Sequence, residues 1–170
     1  QGKHRHTEEE QFGPETPPPS QMSSFDDFRS AFEQQLIFMI DQSVELNNML
    51  GKAHLKVNPQ PLLSALTQET IDNGRDVLEG GATYNSSGVA IIGLAEVVDS
   101  LCAVKEFVYR KNKVTFPDLM KAISENWVGH ESLREQIINS GTKFGTDSKD
   151  AADMANYLID LLHREYQKRD

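Results

Sequence analysis

Glu79-Gly80-Gly81-Ala82-Thr83-Tyr84-Asn85-Ser86-Ser87-Gly88 is the least helical stretch between residues 24 and 170. Three glycines and several small polar residues in ten positions predict a tight loop, with a short strand beside it. A Gly-Gly pair lets the backbone approach a neighbour closely, and the hydroxyl and amide groups of Thr83, Tyr84, Asn85, Ser86 and Ser87 follow at once. The apolar run from Val89 predicts a helix starting directly after Gly88, whose free N–H groups can meet a polar or anionic ligand. The other reading is a loop whose Asn and Ser side chains satisfy its own backbone. The residues by themselves leave the two readings level.

On both sides the pattern is helical. Downstream, Ile92, Ala95, Val98, Cys102 and Phe107 mark one apolar side of a helix ending near Asn112. Thr115, Pro117 and Asp118 cap a helix to about Trp127, and His130 to Asn139 forms a shorter one stopped by Gly141. The loop Lys143-Phe144-Gly145-Thr146-Asp147 leads to a last helix from Ser148, with Ala155, Leu158, Ile159, Leu162 and Tyr166 on its buried face. Upstream, Pro61 opens a short helix through Leu66, and Thr67 to Asn73 gives another closed by Gly74. Before them, Ser24 and Asp27 form a capping box for an amphipathic helix carrying Phe25, Phe28, Phe32, Leu36, Met39 and Ile40 and ending near Val57. Residues 1–23 read as an extended Pro-rich arm, and residues 24–170 as one helical region containing the loop 79–88. No Val- and Ile-rich run of a parallel strand occurs, so periodicity predicts a mainly α chain of five or six helices.

The 170 residues carry a formal net charge of −9, which repels nucleic acid and anionic lipid. Arg164, Lys168 and Arg169 form a basic cluster that complements the dipole of the last helix. Cys102 is the single cysteine, so no disulfide forms within the chain, and its apolar neighbours predict a buried, inert thiol. No run approaches the roughly 20 apolar residues of a membrane span. The chain starts at Gln1 with no charged-then-apolar leader, which points to the cytoplasm and to a piece of something longer. His4 and His6, with Glu8, Glu9 and Glu10, have metal-ligand chemistry but no rigid frame to hold it, and no metal is expected. His54, His130 and His163 fall on separate elements. Gly88 to Gly93 has the look of a phosphate loop, but Leu94 stands where the lysine belongs. Asn85-Ser86-Ser87 fits the short N-glycosylation pattern, which is frequent by chance.

Asp72-Asn73-Gly74-Arg75-Asp76-Val77-Leu78-Glu79-Gly80-Gly81-Ala82-Thr83-Tyr84-Asn85-Ser86-Ser87-Gly88, followed by Ile92-Gly93-Leu94-Ala95-Glu96-Val97-Val98-Asp99-Ser100-Leu101, closely resembles the glycyl-radical enzymes of the pyruvate formate-lyase-like superfamily. The resemblance is to the branch of glycerol, propanediol and hydroxyproline dehydratases, choline trimethylamine-lyase and arylacetate decarboxylases. Three more blocks resemble the same branch: Gln11 to Phe28, Asn47 to Leu66, and Lys143 to Asp147. Two departures stand out. Thr83 occupies a position where the family has Arg or Lys, and Pro17-Pro18 replaces a Gly-Asp pair.

The resemblance implies a segment of a ten-stranded α/β barrel, from an anaerobic lyase or dehydratase acting on a small polar metabolite. It implies that the thiyl cysteine, in a Gly-Cys-x-Glu motif, lies upstream, and that the radical glycine, in an Arg-Val-x-Gly-aromatic motif, lies downstream. Neither motif occurs here, and Cys102 falls on a helix position where the family has Ala. The chain is therefore expected to hold no catalytic residue and no cofactor, and to be inactive alone. The whole enzyme would carry a glycyl radical installed by an S-adenosylmethionine radical activase. Implied partners are the rest of the enzyme, that activase and a second copy in a homodimer. Tyr84 is the expected substrate contact, for positioning and shielding, with Asn85, Ser86 and Ser87 as weaker ones. The competing readings are a small helical binding protein or partner subunit reusing this segment, and a self-contained metal or small-molecule module.

Overall fold

Capping residues set where the helices start. In the computed structural model, which describes residues 11–85 and 88–169, α1 runs Phe25–Val57. It opens on a reciprocal cap: Ser24 N–H donates to Asp27 Oδ2 at 2.9 Å, and Asp27 N–H donates to Ser24 Oγ at 3.1 Å. These bonds satisfy orphan donors of the first turn and, chiefly through Ser24, hold the Asp27 carboxyl below its ordinary range. Pro61 starts α2 (Pro61–Leu66), and α3 (Thr70–Asn73) closes on Gly74 in the left-handed region. Thr115 caps α5 (Phe116–Ser124) and Ser148 caps α7 (Lys149–Gln167), each accepting from a backbone N–H three residues on. α4 (Leu94–Ala103) precedes α5, and α6 (Glu131–Ile138) lies between α5 and α7. Two 3-10 turns, Pro19–Gln21 and Val77–Glu79, complete the regular structure with a π-helical segment, Val104–Arg110. Among the described residues there is no strand beyond a single bridge residue at Gln11, so the strand expected beside the loop is absent.

Four expectations need correction. The helix after the loop begins at Leu94, not near Val89, because Gly93 takes a left-handed conformation (φ 88°) that breaks the run. Ile92, expected on its apolar side, is 90% exposed. The helix from Thr115 stops at Ser124, since Asn126 and Trp127 both adopt positive φ. On α7 the buried face holds Ala151, Met154, Ala155, Leu158, Leu161 and Glu165, while Ile159 is turned to the surface.

The chain divides into two compact units, one comprising residues up to Met39 and from Ile92 on, the other Ile40–Ile91. The first has the core. Val98, Leu101 and Cys102 of α4 pack on Ala151, Met154, Ala155 and Leu158 of α7. Phe25, Phe28 and Phe32 of α1 lie half-buried against this cluster, so part of that side of α1 is covered from within the chain. Burial raises the pKa of the Cys102 thiol, as expected of an inert core cysteine.

The π-helical segment carries Phe107 and Val108 into the interior together with the Glu106 carboxylate. Lys111 Nζ and Ser140 Oγ (3.1 Å) donate to that carboxylate, and the Lys111 bond holds its pKa below the ordinary range. On α7, the buried Glu165 gathers the basic cluster: Arg164 Nε at 3.4 Å, Lys168 Nζ at 2.7 Å and Arg169 Nη1 at 3.3 Å. Residues 11–23 are tacked onto α1 by Gln35, whose amide donates to the Pro14 carbonyl at 2.6 Å, and by the edge-on stack of Phe12 on Phe38.

The second unit is built differently. Among its described residues only Ile40, Ser64, Thr70 and Gly81 are buried. Leu46, Met49, Val57, Leu62 and Ile71 are exposed, as is Leu66 at 80%. Side chains bonded to backbone hold it together. The Thr70 hydroxyl donates to the carbonyls of Ser64 and Thr67, and Val77 N–H donates to Ser64 Oγ at 2.9 Å.

Candidate functional site: the Gly80-Gly81 loop

The loop rests on a base that only glycine fits. Gly80 has φ 77°, the left-handed region that disfavours a side chain. A Cβ on Gly81 would stand 2.2 Å from the Arg75 carbonyl oxygen and 3.0 Å from that of Asp76, both backbone atoms that cannot swing away. The Gly81 N–H donates to the Asp76 carbonyl at 3.0 Å, and the Gly81 carbonyl accepts from Asn73 Nδ2 at 2.8 Å. Asp76 serves as a hub, its carboxylate accepting from Gln60 N–H at 2.9 Å and from Leu78 N–H at 2.8 Å. Thr83 donates its hydroxyl to the Glu69 carboxylate.

Beyond this base the side chains are exposed. Tyr84 is 97% exposed, and Asn85 is exposed beside it. Ser86 and Ser87 lie outside the described residues, as do His4, His6 and Glu8 to Glu10. The helix N-terminus expected just after Gly88 is not there, because α4 starts at Leu94. The loop thus offers a phenol and an amide on a braced backbone. Among the described residues no three His, Cys, Asp or Glu side chains gather as metal ligands would.

Sequence reading found the loop but missed its supports, Glu69, Asn73, Asp76 and Ser64. Asn73-Gly74 was the available signal, since polar residues flanking a glycine-rich turn tend to bond its backbone. In the first unit, Asp99 joins two blocks that stood far apart in sequence. Its Oδ1 accepts from Phe144 N–H at 2.7 Å, and its Oδ2 lies 3.8 Å from Lys143 Nζ. A cleft of about 610 Å³ lined in part by Met22, Tyr109, Lys113 and Phe116 holds none of the expected site residues.

The family model described as pyruvate formate lyase-like matches residues 1–170. This chain belongs to that family. It is 30% identical over 161 residues to (2S)-3-sulfopropanediol dehydratase from Klebsiella oxytoca, covering 94% of this chain and 20% of the relative. It is 31% identical over 159 residues to trans-4-hydroxy-L-proline dehydratase from Clostridioides difficile, with the same two coverages. The glycerol-bound structure of the B12-independent glycerol dehydratase from Clostridium butyricum superposes with a TM-score of 0.87 at 31% identity, over 96% of this chain and 20% of that one. The chain therefore spans about a fifth of the length of the relatives it matches. Those relatives are dehydratases by name, and a glycyl radical enzyme from Archaeoglobus fulgidus superposes as well, with a TM-score of 0.81 at 29% identity over 92% of this chain and 19% of that one. This mainly helical chain is a segment of the α/β barrel fold of glycyl-radical enzymes. No helix among the described residues is long and apolar enough to cross a membrane.

Proposed function

We propose that this chain is part of a glycyl-radical dehydratase or lyase acting on a small polar metabolite, and that its loop 79–88 forms part of the wall of the substrate cavity. The observation that carries this reading is the contrast within the loop. Its base is locked by Gly80, Gly81, Asn73 and Asp76, yet Tyr84 projects without cover and Asn85 beside it is exposed. A binding wall needs such an arrangement, because a polar contact made from a rigid backbone loses little freedom when substrate arrives. Tyr84 packs its ring against substrate carbon and orients a polar group with its hydroxyl. Asn85 is a weaker contact, joined by Ser86 and Ser87 on sequence grounds alone.

In this reading the thiyl cysteine and the radical glycine come from other parts of the enzyme. No residue here carries the radical, which an S-adenosylmethionine radical activase installs. The exposed apolar residues of the second unit favour such a part over a self-standing binding protein, since they need cover from the remainder of the barrel. The assembled enzyme is a cytoplasmic homodimer. Tyr84→Phe and Tyr84→Ala in the full-length, activated enzyme test the assignment. Loss of turnover or a raised KM, with the glycyl doublet in the EPR spectrum unchanged, is expected. Wild-type kinetics in both variants would make Tyr84 a structural residue.

A further inference from the structure

Two side chains at the ends of α3 grip the loop just before Tyr84. Glu69 precedes the helix and Asn73 ends it, so they stand four residues apart, the spacing that puts side chains above one another. Asn73 Nδ2 donates to the Gly81 carbonyl at 2.8 Å, and the Glu69 carboxylate accepts from the Thr83 hydroxyl. Four helical residues rise about 6 Å, and two residues of open chain span at most about 7 Å. The two grips therefore match residues 81 and 83 without forcing the chain. Tyr84 follows the second grip directly.

Glu69 also holds a left-handed backbone, φ 71°, a conformation that Gly or Asn takes more easily. A glutamate tolerated there is consistent with its carboxylate having work to do, and the Thr83 bond is that work. We infer that Glu69 and Asn73 are positioning residues, which set how far Tyr84 reaches toward substrate. This inference rests on the reading of Tyr84 proposed above. It predicts that the grips act on substrate through Tyr84 and not through overall folding.

The test uses the full-length, activated enzyme carrying Glu69→Ala, Asn73→Ala or Thr83→Val, each alone and combined with Tyr84→Ala. Each single variant should raise KM roughly five- to tenfold with a smaller loss in kcat and an unchanged glycyl-radical content. Glu69→Gln, which keeps an acceptor oxygen, should restore most of the affinity. In the Tyr84→Ala background the same three variants should have almost no further effect. If Tyr84→Ala impairs binding but the grip variants do not, or if their effects persist undiminished in the Tyr84→Ala background, the grips are structural and the inference is wrong while the reading of Tyr84 stands. If Tyr84→Ala itself leaves kinetics at wild-type values, that reading fails and the inference falls with it.

Discussion

The two units of this chain use opposite means of holding a shape. The first, built on α4 and α7, closes around Val98, Leu101, Cys102, Met154 and Leu158, with three phenylalanines of α1 laid over them. The second has hardly any apolar interior and relies on Ser64, Thr70, Asn73 and Asp76 bonding to backbone, while Leu62, Leu66 and Ile71 face outward. Apolar burial supplies stability without direction, whereas side-chain-to-backbone bonds supply direction with little net stability. The unit that presents Tyr84 is thus the one whose geometry is specified most closely and whose cohesion is least its own.

The sharpest way to break this contrast is to delete apolar volume in each unit. Leu158→Ala should cost about 2–5 kcal/mol, as large-to-small changes in a packed core do. Leu66→Ala should stay within about 0.5 kcal/mol, because that side chain is already in water. Urea unfolding of the chain, read by hydrogen exchange in α7 and in α2, would compare them, and equal costs would refute the contrast.

A smaller effect is expected at Gly81. An alanine there forces its Cβ into the Arg75 carbonyl, at an overpacking cost of about 1–3 kcal/mol. Amides near residues 73–83 should lose protection while those of α7 keep theirs. A loss shared by both regions would mean that the units unfold together.

The smallest effect concerns acid. Glu106, Asp150 and Asp27 belong to the first unit and have carboxyl pKa values held below their ordinary range, by Lys111, Lys105 and Ser24 respectively as the leading partners. A carboxylate with a lowered folded pKa contributes stability that is complete above its unfolded pKa and is lost as pH falls through the folded one. The first unit should therefore weaken as pH drops below about 4.3, the ordinary value for Glu. Glu106→Gln should remove on the order of 1 kcal/mol of that acid-dependent loss and so flatten the slope. An unchanged slope, followed by the urea midpoint against pH, would show that the Lys111 bond has no part in it.

Much of this fold could be read from local chemistry. The reciprocal Ser24–Asp27 cap, Pro61 and Gly74 mark their helix ends in sequence because the physics that ends a helix is confined to a few neighbouring residues. Val89 to Ile92 misled because an apolar run has the same composition whether it forms a helix or awaits a partner. Glu165 was hidden among α7's polar residues for another reason, since its burial depends on three basic groups converging from outside the apolar pattern. The loop was legible from its glycines. Glu69, Asn73 and Asp76 were not identified as its supports, because a side-chain bond spanning 8, 14 or 16 residues depends on a path that no periodicity encodes.

The π-helical turn from Val104 to Arg110 has a consequence for length variation. Such a turn is an α-helix that has taken in an additional residue, and here it spans the five-residue step from Cys102 to Phe107, both of them buried. Deleting one residue from it leaves an ordinary helix, but turns everything beyond by roughly 100° relative to α4. Phe107 and Glu106 would leave the interior together, and Ser140 would lose the carboxylate it now meets. Homologous chains one residue shorter at this point are therefore expected to rebuild the contact between this helix and the loop before α7, while chains of equal length keep it.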